Sequence, residues 1–103
     1  MEFREIIKRA KEIQAAYRIF NEKSGHKKWG ASEYTQGLVG DVGDLMKLMM
    51  AKNSLRNGED IDKKLSHELS DCLWSVIVIA EELGIDLEKE FLVTMTELER
   101  RVK

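Results

Sequence analysis

The chain contains no proline, and nowhere do β-branched residues alternate with polar ones for long enough to build a strand, so its hydrophobic pattern has one period left to follow. That period is helical. Phe3, Ile6, Ile7, Ala10, Ile13, Tyr17 and Phe20 share one stripe and predict a first helix. NEKSGHKKWGAS breaks the stripe with Gly25 and Gly30 and reads as a loop. Ser32 with Glu33 to Gln36 marks the start of a second helix, which runs to about Lys52. NSLRNGEDID is the next connection, with Asn57-Gly58 as its turn. A third helix starts near Asp60 or Asp62 and carries Leu65, Leu69, Cys72, Leu73, Val76, Ile77 and Ala80. In ELGID, Gly84 is expected to cap that helix and Asp86 to open the fourth. The fourth has Leu87, Phe91, Met95 and Leu98 on one side. No repeat, linker or low-complexity tract divides residues 1–103, so a single all-α domain is expected.

In the middle of the third helix, CLWSVIVIA is apolar at every position but Ser75. A helix that is hydrophobic all round has to be covered all round. With 103 residues, a chain buries only about two-thirds of its unfolded surface. A symmetric partner, as a homodimer or a tetramer built as a dimer of dimers, is therefore expected to complete the cover.

A net charge of −2 provides no field for general attraction to nucleic acid or membrane. MEFREIIKRAKEI is amphipathic and mixed in charge, unlike the basic-then-apolar order of a signal peptide. The longest apolar run, Cys72 to Ala80, falls far short of the roughly 20 residues of a membrane span. Cys72 is the only cysteine, which excludes an intrachain disulfide and a cysteine-based zinc site and fits a reducing cytoplasm.

The second helix raises a question of composition. GLVGDVGDLMKL, Gly37 to Leu48, keeps Leu38, Val42, Leu45 and Leu48 at helical spacing but fills the turns between them with Gly37, Gly40, Gly43 and two aspartates. Each interior glycine costs roughly 1 kcal/mol relative to alanine. Asp41 and Asp44 share a face at i,i+3, and Glu68 and Asp71 repeat the spacing on the third helix. On antiparallel neighbours, the two pairs would gather four carboxylates. Such a group cannot stay fully ionised at close range. It takes up protons or a cation, and Mg²⁺ or Mn²⁺ suits an all-oxygen donor set. The glycines would then let a helix or a ligand come close. The same spacing also occurs on solvated helix faces, so both readings stand on the residues alone.

LVGDVGDL followed by HELSDCLW resembles the MazG-like, all-α nucleoside triphosphate pyrophosphohydrolases, a group that includes dimeric dUTPases and dCTP pyrophosphatases. Their signature is E-E-x-x-E, a variable gap, then E-x-x-D. Here it reads Gly40-Asp41-Val42-Gly43-Asp44, residues 45 to 67 as the gap, then Glu68-Leu69-Ser70-Asp71. ELSDCLWSVIVIAEELGIDLEKEF continues the likeness through the third helix and its G-I-D-L turn into the fourth.

The resemblance implies a four-helix subunit that forms an intersubunit helical bundle. It also implies a Mg²⁺ site made of Asp41, Asp44, Glu68 and Asp71, and hydrolysis of a nucleoside triphosphate to monophosphate and pyrophosphate as a house-cleaning reaction. Glu68 and Asp71 are its expected catalytic carboxylates. His26, Lys27, Lys28 and Trp29 would lie near the mouth, where a Trp face stacks on a base and a lysine meets phosphate. The alternative is a lysine-rich loop with the Trp folded back on the core. Trp74 reads as core, interface or base contact, and His67 as a surface histidine.

Two departures are visible. Asp41 and Asp44 replace glutamates, and each reaches about 1.3 Å less. Helix closure, an intervening water or weaker binding would each accommodate that. Thr94 and Leu98, in TMTEL, stand where relatives carry the lysine and asparagine of K-M-x-x-N, leaving Arg100 and Arg101 as candidate phosphate ligands. A second functional reading follows, a binding module for nucleotide or metal with little turnover. A third is a structural helical module whose acids are solvated.

Overall fold

Four helices and no strand occur among the described residues, 1–53 and 59–103 of a computed structural model. They are α1 (Phe3–Lys23), α2 (Ala31–Asn53), α3 (Glu59–Glu82) and α4 (Leu87–Val102). The all-α class and the four elements agree with the periodicity of the sequence. The expected Asn57-Gly58 turn lies outside the described residues. No described helix is long and apolar enough to cross a membrane.

Two helices end by the same local device. Gly25 and Gly84 adopt φ of +71° and +67°, a left-handed backbone that glycine accepts without the Cβ clash of other residues. At the end of α1 the Gly25 N–H donates to the Glu22 carbonyl at 3.3 Å and His26 N–H to the Asn21 carbonyl at 2.9 Å. Beyond α3 the Gly84 N–H donates to Glu81 at 3.2 Å and Ile85 N–H to Ala80 at 2.9 Å. This paired pattern satisfies carbonyls that a bare helix end leaves open. Asp86 then opens α4, its Oδ1 accepting from the Lys89 N–H at 3.2 Å. The start of α2 differs from expectation. Glu33 Oε1 accepts the Gly30 N–H at 2.8 Å, half of a capping box, so the boundary is Gly30 and Ser32 lies inside the first turn.

The chain forms two compact units, Met1–Lys28 with Ile77–Lys103, and Trp29–Val76, and α3 contributes to both. In the first unit the buried residues are Ala10, Gln14, Ile77, Val78 and Ala80. Gln14 is a polar member of this core and is satisfied, its Nε2 donating to Glu82 Oε1 at 3.0 Å. Arg18 donates to the same oxygen at 3.2 Å. Lys11 meets Glu81 at 3.4 Å and Arg4 meets Glu88 at 4.0 Å. Arg4, Lys11 and Arg18 recur every two turns of α1, so one edge of that helix is basic and faces these acids. The exposed pairs contribute little each. The buried Gln14 bond to a charged acceptor is worth more, about 1.5–3 kcal/mol. Along the predicted stripe of α1, Tyr17 and Phe20 remain exposed, and α4 has no buried residue at all.

In the second unit Tyr34 is the buried aromatic and Ser75 the buried polar residue. Tyr34 is flanked edge-on by Trp29 and Trp74, with ring centroids 5.4 and 5.7 Å away, the T-shaped geometry that aromatic quadrupoles favour. Trp29 thus folds onto α2, and its ring lies over Gly37, where an added Cβ would meet it at 3.5 Å. Gly40 and Gly43 have nothing within 4 Å of the equivalent position, so no neighbour among the described residues uses the close approach they permit. Gly40→Ala and Gly43→Ala are each expected to stabilise the fold by about 1 kcal/mol through helix propensity. Thermal melts check this, and a loss of stability would reveal a neighbour on that face.

Candidate metal centre

Three contacts set the register of α2 and α3 within the second unit. Tyr34 lies against Trp74, Asp41 and Asp44 lie beside Glu68, and Lys52 is ion-paired with Asp62. As the α2 number climbs the α3 number falls, so the two helices are antiparallel. That register turns the i,i+3 spacing of the acids into a cluster. One carboxylate oxygen from each of Asp41, Asp44 and Glu68 lies within 4.8 Å of the other two. Asp41 and Glu68 are half-buried, while Asp44 is open to solvent.

Burial, followed by the charges of Asp71 and Asp44, holds the Asp41 carboxyl above its ordinary range. For Glu68 desolvation again comes first, followed by Asp41, Asp44 and Asp71. His67 acts on both in the opposite sense. Only in the pH interval between their unfolded and folded values does the folded chain hold protons on Asp41 and Glu68 that the unfolded chain releases. Their contribution to stability is fully present below the unfolded values, about pH 4, and is lost as pH rises through the folded values. Without divalent ions, Asp41→Asn is expected to melt above wild type at neutral pH, with the gain vanishing toward pH 4. Thermal melts across pH in the presence of a chelator check this. Added Mn²⁺ should raise the wild-type midpoint and leave the variant nearly unmoved.

The donor set fits a small hard cation. Two oxygens on one octahedral Mg²⁺ stand about 3.0 Å apart when adjacent and about 4.2 Å apart when opposite, given metal–oxygen distances of about 2.1 Å. The three carboxylate oxygens, within 4.8 Å of one another, would have to draw closer to share one such ion. Glu68 Oε2 is also shielded from solvent and has no hydrogen-bond partner, a state that is costly for a carboxylate oxygen unless something binds it.

Asp71 is half-buried and its carboxylate is engaged elsewhere, Oδ2 lying 3.2 Å from His67 Nε2. The structure thus brings together three of the four expected ligands, with the fourth at the margin of the cluster. His67 is on the surface as expected, with its side chain 74% exposed, and there it meets Asp71 and lines a cleft beside the acids. Its i,i+4 spacing from Asp71 was the signal in the sequence. Burial, then Asp41, Glu68 and Asp71, push the Cys72 thiol up, which keeps it protonated.

Of the expected substrate contacts, Trp29 and Trp74 belong to the unit that holds the acids, where both pack on Tyr34. Trp29 keeps 42% of its surface exposed. His26, Lys27, Lys28, Arg100 and Arg101 belong to the other unit and are exposed. His26 lies 6.5 Å from the Phe20 ring.

Sequence reasoning missed a basic wall. An open cleft of about 620 Å³ runs beside the acids, lined by Asp44, Lys47, Lys63, Lys64, His67 and Glu68 among others. Nothing local in the sequence singles these lysines out, and only the antiparallel register sets them around one hollow.

Comparison with protein-family models, with curated proteins and with solved structures found no match to this chain.

Proposed function

We propose that this chain is a divalent-metal-dependent nucleoside triphosphate pyrophosphohydrolase, working as a homodimer or tetramer on free nucleotides in the cytoplasm. The observation that carries this reading is the convergence of Asp41, Asp44 and Glu68, with one Glu68 oxygen left unpartnered. The resemblance of their motifs to the MazG-like enzymes supplies the reaction. Exposed apolar side chains on α3, Leu69, Leu73 and Val76, support assembly.

In this reading Asp41, Asp44 and Glu68 hold Mg²⁺ or Mn²⁺, with Asp71 as a fourth acid beside them. An ion held there would supply charge neutralisation for the phosphates and polarisation of the phosphoryl oxygens. Water oxygen bonds to the α-phosphorus, the bond from that phosphorus to the bridging oxygen of the β-phosphate breaks, and pyrophosphate leaves. Glu68, as a carboxylate beside that water, takes its proton. Asp71 keeps His67 at the edge of the cleft. Trp29, with its exposed face, meets the base.

The test is pyrophosphate release from a panel of standard and modified nucleoside triphosphates, with Mg²⁺ or Mn²⁺. Asp44→Asn with Asp71→Asn is the control. Monophosphate and pyrophosphate from wild type, absent from the folded control, establish the activity. Metal and nucleotide binding without release favours the binding module instead, with Thr94 and Leu98 the residues to change first.

A further inference from the structure

The cleft beside the acid cluster carries both signs of charge, and their order along the hairpin is regular. On α2, Lys47 follows Asp44 by three residues, and on α3, Lys64 precedes Glu68 by four. Because the helices are antiparallel, both steps lead the same way, about one turn or 5.4 Å toward the connection between them. Lys63 and His67 line the same wall, as does Asp60. Lys47, Lys63 and Lys64 are exposed and form no ion pair with a described residue.

A lone anion entering this cleft meets the acids, and a lone cation meets the lysines. The complementary ligand also carries both charges in sequence, a divalent cation followed by linked phosphates. We infer that Lys47, Lys63 and Lys64 bind the terminal phosphates of a metal-chelated polyphosphate whose cation sits on Asp41, Asp44 and Glu68. Lysine is suited to this as a compact, mobile point charge. The tail of a nucleoside triphosphate then points toward the α2–α3 connection. Its nucleoside points toward Trp29, Tyr34 and Trp74 at the other end of the hairpin. The inference rests on reading the acids as a metal centre and replaces Arg100 and Arg101 as phosphate ligands.

Calorimetric titration with inorganic tripolyphosphate and Mg²⁺ tests it without requiring turnover. Wild type is expected to bind, and the triple variant Lys47→Gln, Lys63→Gln, Lys64→Gln to bind about tenfold more weakly or worse. Arg100→Gln with Arg101→Gln is expected to match wild type. Mn²⁺ alone should bind the lysine variant at least as tightly as wild type, since only positive charge has been removed. Should the triple variant unfold, Lys47→Gln and Lys64→Gln carry the same test singly. Equal tripolyphosphate binding by wild type and lysine variants, or none by wild type, overturns the inference. Nucleotide turnover with an unchanged KM in the lysine variants would also sink it while leaving the proposed activity intact. Lysine-dependent tripolyphosphate binding with no nucleotide cleaved would support it and remove the activity.

Discussion

Glu68→Gln is expected to lower pyrophosphate release by about a hundredfold or more, with helicity unchanged. The substitution keeps the size and shape of the side chain and removes its charge and its capacity to take a proton. Glu68 is the one acid that α3 contributes to the three-oxygen cluster, and its Oε2 has no hydrogen bond to lose. The variant therefore forfeits a ligand without leaving a broken network behind. Circular dichroism and the monophosphate assay on the same preparation separate the two effects. Loss of activity together with loss of helix would mark Glu68 as structural. Full activity in Glu68→Gln would remove it from the metal site and from the role of proton acceptor.

For the proposed homo-oligomer, Leu69→Glu combined with Leu73→Glu is expected to give monomer and to lower the melting temperature. Leu69 is 56% and Leu73 47% exposed within one chain. At i,i+4 on α3 they share a face, and Val76 extends it. Covering the remaining exposed half of each leucine in a partner contributes about 1 kcal/mol. Placing a carboxylate there removes that gain and adds the cost of desolvating a charge. Light scattering after size exclusion reads the mass directly. A wild type already monomeric at micromolar concentration, or a double variant that still assembles, would locate the association elsewhere or deny it.

What the sequence made legible was local. Gly84 and Asp86 announced the α3–α4 corner because a left-handed glycine and an N-terminal cap are decided by their own few residues. The four helices followed from periodicity for the same reason. The acid pairs were visible as spacing, but the convergence of Asp41 and Asp44 on Glu68 depends on where α2 lies along α3, which no local pattern encodes. The lysine wall was hidden by the same gap, since Lys47 and Lys64 are far apart in sequence and ordinary on a helix surface. Local sequence allows Trp29 either to stack on a base or to fold onto the core, and the open flank of Gly37 is what receives it. His67 is the surface histidine its position predicts, and its contact with Asp71 follows from their i,i+4 spacing.

The buried residues are unevenly distributed. Ser75, Ile77, Val78 and Ala80 lie within a turn and a half of α3, against Ala10 and Gln14 on α1, Tyr34 on α2 and none on α4. Backbone amides open to solvent at free energies that follow such packing. Transferred to heavy water, the chain should label α4 first and the stretch from Ser75 to Ala80 last. The slowest-exchanging amides would then mark the segment through which α3 passes from one compact unit into the other, so opening there would loosen both units together.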